Sequence, residues 1–77
     1  MTISARQIRA ARKLLGWTQR ELARKANLSI GAIGRIERGE APAQRDRVEK
    51  ALSAADIKFI PNDGRKGEGV RFAKPMR

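Results

Sequence analysis

Helix-start and helix-stop signals alternate along the N-terminal half of this chain, and they constrain its fold more than any other feature. Ser4-Ala5-Arg6-Gln7 and Thr18-Gln19-Arg20-Glu21 both have the spacing of a capping box. In that motif a hydroxyl accepts the third N–H of a new helix, and the residue three places on accepts the N–H of the cap. Ser29 is a third cap candidate. Each start is answered by a residue suited to the left-handed backbone that ends a helix: Gly16, Asn27 and, past the third helix, Gly39. Apolar residues recur at helical spacing in between: Ile8, Ala11 and Leu15, then Leu22, Ala23 and Ala26, then Ala32, Ile33 and Ile36. Arg6, Arg9 and Lys13 fall on the opposite side of the first helix. Ile30, Gly31, Gly34, Arg35 and Arg38 fall on the opposite side of the third. A fourth helix is expected somewhere after Pro42, on the stripe Val48, Ala51, Leu52 and Ala55.

After Asp56 the rhythm changes. Ile57-Lys58-Phe59-Ile60 is short, β-branched and aromatic, and Pro61-Asn62-Asp63-Gly64 has turn chemistry. Val70-Arg71-Phe72-Ala73 alternates apolar and polar residues with period two. A β-hairpin or strand pair followed by a basic tail, Lys74 to Arg77, is the expectation. No internal repeat is evident.

Composition then narrows the partner. In 77 residues, 18 Lys and Arg face 8 Asp and Glu, a formal charge of +10, with Arg in large excess over Lys. Such a surplus on a chain this short implies a polyanion: nucleic acid first, an anionic membrane surface second. Arg is also the better bidentate partner for phosphate and for guanine. A membrane surface is disfavoured because the apolar stripes are short and the core needs them. No apolar run approaches the length of a membrane span, and Met1 to Arg6 has no signal-peptide character, so a cytoplasmic, nucleoid-associated protein is expected. With no Cys and no His, disulfides, thiolate metal sites and the commonest general base are absent. The eight acids form no catalytic grouping. Neither an enzyme, nor a cofactor, nor a metal site is expected.

The second and third helices are short, both capped, and joined by about three residues around Asn27-Leu28-Ser29, which is the helix-turn-helix arrangement. One helix crosses the DNA backbone while the turn aims the other, N-terminus first, at base edges in the major groove. The residues themselves carry a resemblance. Trp17-Thr18-Gln19-Arg20-Glu21-Leu22-Ala23-Arg24-Lys25-Ala26, Leu28-Ser29 and Ile33-Gly34-Arg35-Ile36-Glu37-Arg38-Gly39 resemble the Cro/C1 family, also called the xenobiotic-response-element family, over about residues 4 to 55. The segment Ala54 to Phe72 is similar to a strand-forming tail on some short bacterial members.

The resemblance implies a mainly α fold: a four-helix lambda-repressor-like DNA-binding domain over residues 1–56, and a C-terminal β segment with a basic tail over 57–77. It implies a transcriptional regulator that binds double-stranded DNA as a homodimer on a palindromic operator, repressing or autoregulating a promoter. The alternative is an antitoxin that binds its own promoter and a partner toxin; a protein partner of toxin or anti-regulator type is compatible with either. By position, Gln19 is implied as a phosphate contact, and Ser29 as cap of the reading helix and a further backbone contact. Ile30, Gly31 and Arg35 fall at base-reading positions, and Arg12 with Glu37 at a partly buried salt bridge between the first and third helices.

The residues add their own weights. Arg35 is the main specificity candidate, since a bidentate contact with guanine is worth roughly 1–3 kcal/mol of discrimination, and Arg38 adds to it. Ile30 either meets a thymine methyl or packs under its neighbours. Gly31 and Gly34 each cost a helix about 0.5–1 kcal/mol; either DNA needs the room, or a well-packed helix tolerates them. Specificity then leans on Arg35, Arg38 and DNA shape. Trp17 reads as a core lid between the first two helices. Ile57, Phe59, Val70 and Phe72 are assigned to dimerisation, through strands that pair within or between subunits; a tail folded on its own helices is the alternative. Two departures from the family pattern stand out. Ala41 and Ala43 stand where many members place polar caps and Arg45 where an apolar residue is common, which leaves the register of the fourth helix open, and Asp56 stands where such tails often have glycine.

Overall fold

The structure of the chain, a computed structural model, describes residues 3–40, 42–60 and 69–73. It contains α1 (Ala5–Leu15), α2 (Gln19–Ala26), α3 (Ile30–Glu37), a 3-10 turn (Pro42–Gln44), α4 (Arg45–Ala54), β1 (Ile57–Ile60) and β2 (Gly69–Phe72). The expected mainly helical fold with a short C-terminal strand pair is present.

The cap signals act as read. Ser4 Oγ accepts from the Gln7 N–H at 3.1 Å while Gln7 Oε1 accepts from the Ser4 N–H at 2.9 Å. Thr18 and Glu21 repeat the box at 3.1 and 2.9 Å. Asn27 (φ 58°) and Asp56 (φ 66°) take the left-handed conformation that short polar side chains tolerate. The first ends α2, and the second turns the chain out of α4 into β1. α3 stops one residue earlier than the sequence suggested, with Arg38 as its C-cap ahead of Gly39. α4 has no side-chain cap: Gln44 is already helical, because the chain enters α4 from the 3-10 turn. The missing polar cap is thereby accounted for.

One core runs through the molecule. Ile3, Ile8, Leu22, Ile33, Ile36, Val48 and Leu52 are fully buried, joined by small residues from α1 and α2. α1 also crosses α3 and α4, and α2 packs on both α3 and α4. The strands close this same core. β1 and β2 are antiparallel in the register Ile57↔Phe72, Lys58↔Arg71, Phe59↔Val70 and Ile60↔Gly69. Ile57, Phe59, Val70 and Phe72 face inward, toward α1 and α4, while Lys58 and Arg71 are exposed.

The pairing is therefore within the chain, and the tail folds on its own helices. Ile57 is a core residue, 4% exposed, which leaves the unpaired outer edges of the hairpin for any partner. Gln7, itself buried, ties the far end of the hairpin to α1: its Nε2 donates to the Ile60 and Gly69 carbonyls at 3.0 and 3.1 Å. A two-stranded hairpin is marginal alone in water, so this anchor and the shared core hold it. The expected turn at Pro61–Gly64 and the basic tail lie outside the described residues.

Candidate nucleic-acid interface

α2 and α3 are held at a fixed angle by a network centred on Glu37. This carboxylate sits near the end of α3 and is 4% exposed. Arg12 of α1 approaches it side-on: Nε to Oε2 is 2.8 Å and Nη2 to Oε1 is 3.3 Å. The remaining Arg12 fork donates to the Trp17 carbonyl at 3.0 Å, just before α2 starts. Gln19 Nε2, at the first position of α2, donates to Glu37 Oε1 at 3.2 Å. Arg9 Nη1 donates to the Glu37 carbonyl oxygen. One acidic side chain thus collects partners from α1 and from α2, and Arg12 extends the network to the segment entering α2. Its pairing with Arg12 is a structural feature, removed from solvent, that sets how α3 stands against α2.

This placement changes what Gln19 can offer. One N–H of its amide is engaged with Glu37, which leaves the second amide N–H and its backbone N–H to offer a phosphate oxygen. The backbone group precedes the first intrahelical bond of α2, from Leu22 N to Thr18 O. Exposed N–H groups at a helix start, at the positive end of the macrodipole, suit a phosphate oxygen.

The same reasoning holds for α3. Ser29 Oγ accepts from the Ala32 N–H at 3.1 Å, and Ile33 N donates to Ser29 O. The Ile30 and Gly31 N–H groups lie ahead of that bond. Leu28 N donates back to Ala23 O at 2.8 Å, which keeps the joint between the helices tight.

The outward face of α3 carries Ile30, Gly31, Gly34, Arg35 and Arg38, and its inward face Ala32, Ile33 and Ile36. Ile30 is 44% exposed, so it does not pack under its neighbours. Arg35 is exposed and, among the described residues, makes no side-chain hydrogen bond or ion pair. Arg38 pairs with Glu40 at 3.4 Å, with both side chains more than half exposed. Such a pair is worth roughly 0–1 kcal/mol, and a phosphate or base can displace it.

The glycines are informative. A Cβ at Gly31 would meet only Ser29 Oγ, at 3.9 Å; one at Gly34 would meet Arg38 Nη1, the movable end of a side chain, at 3.4 Å. The protein's own packing therefore demands neither glycine.

Three residues that matter to this geometry gave little sign in the sequence. Gln7 was visible only as part of a capping box. Arg9 appeared only as one of three cations on a helix face. Arg45, marked in the sequence only as a departure from the family pattern, reaches the Ile3 carbonyl at 3.1 Å. Arg47 reaches the Asn27 carbonyl at 3.5 Å from an exposed position. Trp17 is half-buried against the core, with the Lys25 ammonium 5.7 Å from its ring centroid. Among the described residues there is no group of three or more acidic residues that could hold a metal ion. No helix of the described residues is long and apolar enough to cross a membrane.

A family model described as helix-turn-helix matches residues 8–60, from the first turn of α1 to the end of β1. Comparison with curated proteins and with solved structures finds no match.

Proposed function

The chain belongs to the Cro/C1-type helix-turn-helix family, whose members are DNA-binding transcriptional regulators, and from that premise we propose that it is a homodimeric repressor or autoregulator that reads a palindromic operator through α3. The observation that carries this reading is the outward face of α3: a capped start with free N–H groups, two glycines that the fold itself does not require, and an unengaged Arg35. In this reading Arg35 contacts guanine and Ile30 a thymine methyl. The N–H groups opening α2 and α3, with Ser29, hold backbone phosphates, and Gly31 and Gly34 let the helix approach the bases closely.

A dimer supports this because one α3 of 8 residues reads too few base pairs to single out a site, whereas two-fold symmetry doubles the contacts. The hairpin is the proposed meeting surface. Ala73 N donates to Asp56 O, which makes Asp56/Ala73 a hydrogen-bonded pair. By alternation the N–H and C=O groups of Ile57 and Phe59 then point away from β2. Such an outer edge can pair with its copy about a two-fold axis, with Phe59, Val70 and Phe72 at the margins.

Selection from random duplexes is the test. Enrichment of a two-fold symmetric motif is the expected result. A one-sided motif would remove the dimer from the proposal, and no enrichment would remove operator reading altogether.

A further inference from the structure

An open cleft of about 490 Å³ lies where the start of α1, the end of α3 and the start of α4 meet. Arg6, Arg9, Arg38 and Arg45 line it, together with Ser4 and Gly39. Among its lining residues the single acid is Glu37, and that carboxylate is already held by Arg12 and Gln19. Four guanidinium groups share one concavity, then, with no free counter-charge lining it. The helix start adds to the imbalance. The first turn of α1 contains no acidic residue and carries Arg6, although the positive end of a helix dipole favours acids.

Two of the four cations are held in place. Arg9 is tied to the Glu37 carbonyl and Arg45 to that of Ile3. Arg45 also has a buried Nε with no hydrogen-bond partner. Arginines fixed in this way lose little freedom when an anion arrives, and their planar forks match phosphate oxygens. The other two, Arg6 and Arg38, are exposed, and the solvent-facing pair of Arg38 with Glu40 is weak enough for an anion to displace.

We propose that this four-arginine cleft is a binding site for a phosphate-class anion, apart from the base-reading face of α3 although it shares Arg38 with it. The phosphate comes either from the DNA backbone beyond the groove that α3 enters or from a free phosphorylated small molecule. Only the first source rests on the DNA-reading proposal. Occupancy would neutralise the crowded guanidiniums and join α1 to α4.

The experiment uses the full chain and three variants. Arg6→Ala removes an exposed cation of the cleft. Arg45→Lys keeps the charge but loses the fork. Lys13→Ala makes the same charge change at the other end of α1, outside the cleft. Melting temperature is measured against sodium pyrophosphate at constant ionic strength, and duplex binding is measured against salt.

The native chain and Lys13→Ala should be stabilised in step with pyrophosphate concentration. Arg6→Ala and Arg45→Lys should need about tenfold more for the same shift, the scale of one charge-assisted hydrogen bond. If Arg6→Ala also lowers the salt slope of duplex binding by about one while Lys13→Ala does not, the phosphate is that of DNA. If the slopes agree and only the pyrophosphate response falls, the ligand is a free phosphorylated molecule. Equal pyrophosphate responses in all four proteins, with equal salt slopes, overturn the proposal. A chain that binds no duplex refutes the DNA-reading proposal, and the pyrophosphate response then decides the cleft by itself.

Discussion

Replacing Glu37 with alanine should come close to unfolding this domain. The carboxylate accepts from Arg12 Nε at 2.8 Å, from Arg12 Nη2 at 3.3 Å and from Gln19 Nε2 at 3.2 Å. Its side chain is 4% exposed and that of Arg12 16%. After Glu37→Ala the guanidinium remains largely buried with only the Trp17 carbonyl for company. Removing one member of a buried pair costs about 3–5 kcal/mol, and the residual exposure of Arg12 and its bond to Trp17 place this case near 3 kcal/mol. A chain of 77 residues has a total margin of about 4–12 kcal/mol. At about 4–8 °C per kcal/mol for a domain of this size, the melting temperature should fall by about 12–24 °C.

Thermal denaturation followed by circular dichroism and by Trp17 fluorescence measures this directly. The double change Arg12→Met with Glu37→Met should recover much of the loss, because an apolar pair leaves no buried charge. A Glu37→Ala protein that melts within about 2 °C of the native chain, less than 1 kcal/mol on the same scale, would refute the reasoning. A double variant no better than the single would show that the loss lies in packing and not in the orphaned charge.

Other outcomes follow from the same geometry. Gly31→Ala and Gly34→Ala should each stabilise the fold by about 0.5–1 kcal/mol, since neither Cβ meets a fixed obstacle, while weakening duplex binding; paired melting and binding measurements should show the opposite signs. Arg35→Ala should cost about 1–3 kcal/mol of discrimination at one operator position with the melting temperature unchanged, as repeated selection on the variant would reveal. Gln7→Ala removes both bonds to the hairpin and should speed hydrogen exchange at Lys58 and Arg71, whose amides pair across the strands, by about tenfold for each 1.4 kcal/mol lost, leaving α2 amides as they were. With roughly 6–10 phosphate contacts, duplex affinity should drop about 10³–10⁵-fold between 50 and 200 mM salt, and a flat response in a mobility-shift titration would contradict the charge argument.

The helices, their caps and their buried stripes were legible in the sequence because each is a local matter. A cap needs its hydroxyl three residues from the N–H it serves, and a stripe needs only the helical period, so Ser4, Thr18, Ser29, Gly16 and Asn27 declare themselves. The outward position of Arg35 follows from the same period, and the excess of Arg from a count. The hairpin strands were legible by alternation, but not where they pack. Alternation states that Ile57, Phe59, Val70 and Phe72 share a face; it does not state what that face meets.

Only the tertiary structure put that face on α1 and α4 and made Ile57 a core residue, because burial depends on elements distant in the chain. Long-range polar contacts were hidden for the same reason. Gln7 reaches Ile60 and Gly69 across more than fifty residues, and Gln19 of α2 donates to Glu37 of α3. Four arginines scattered from position 6 to position 45 converge on one cleft. A side chain's type limits which bonds it can make, but the fold decides which partner stands within 3 Å of it.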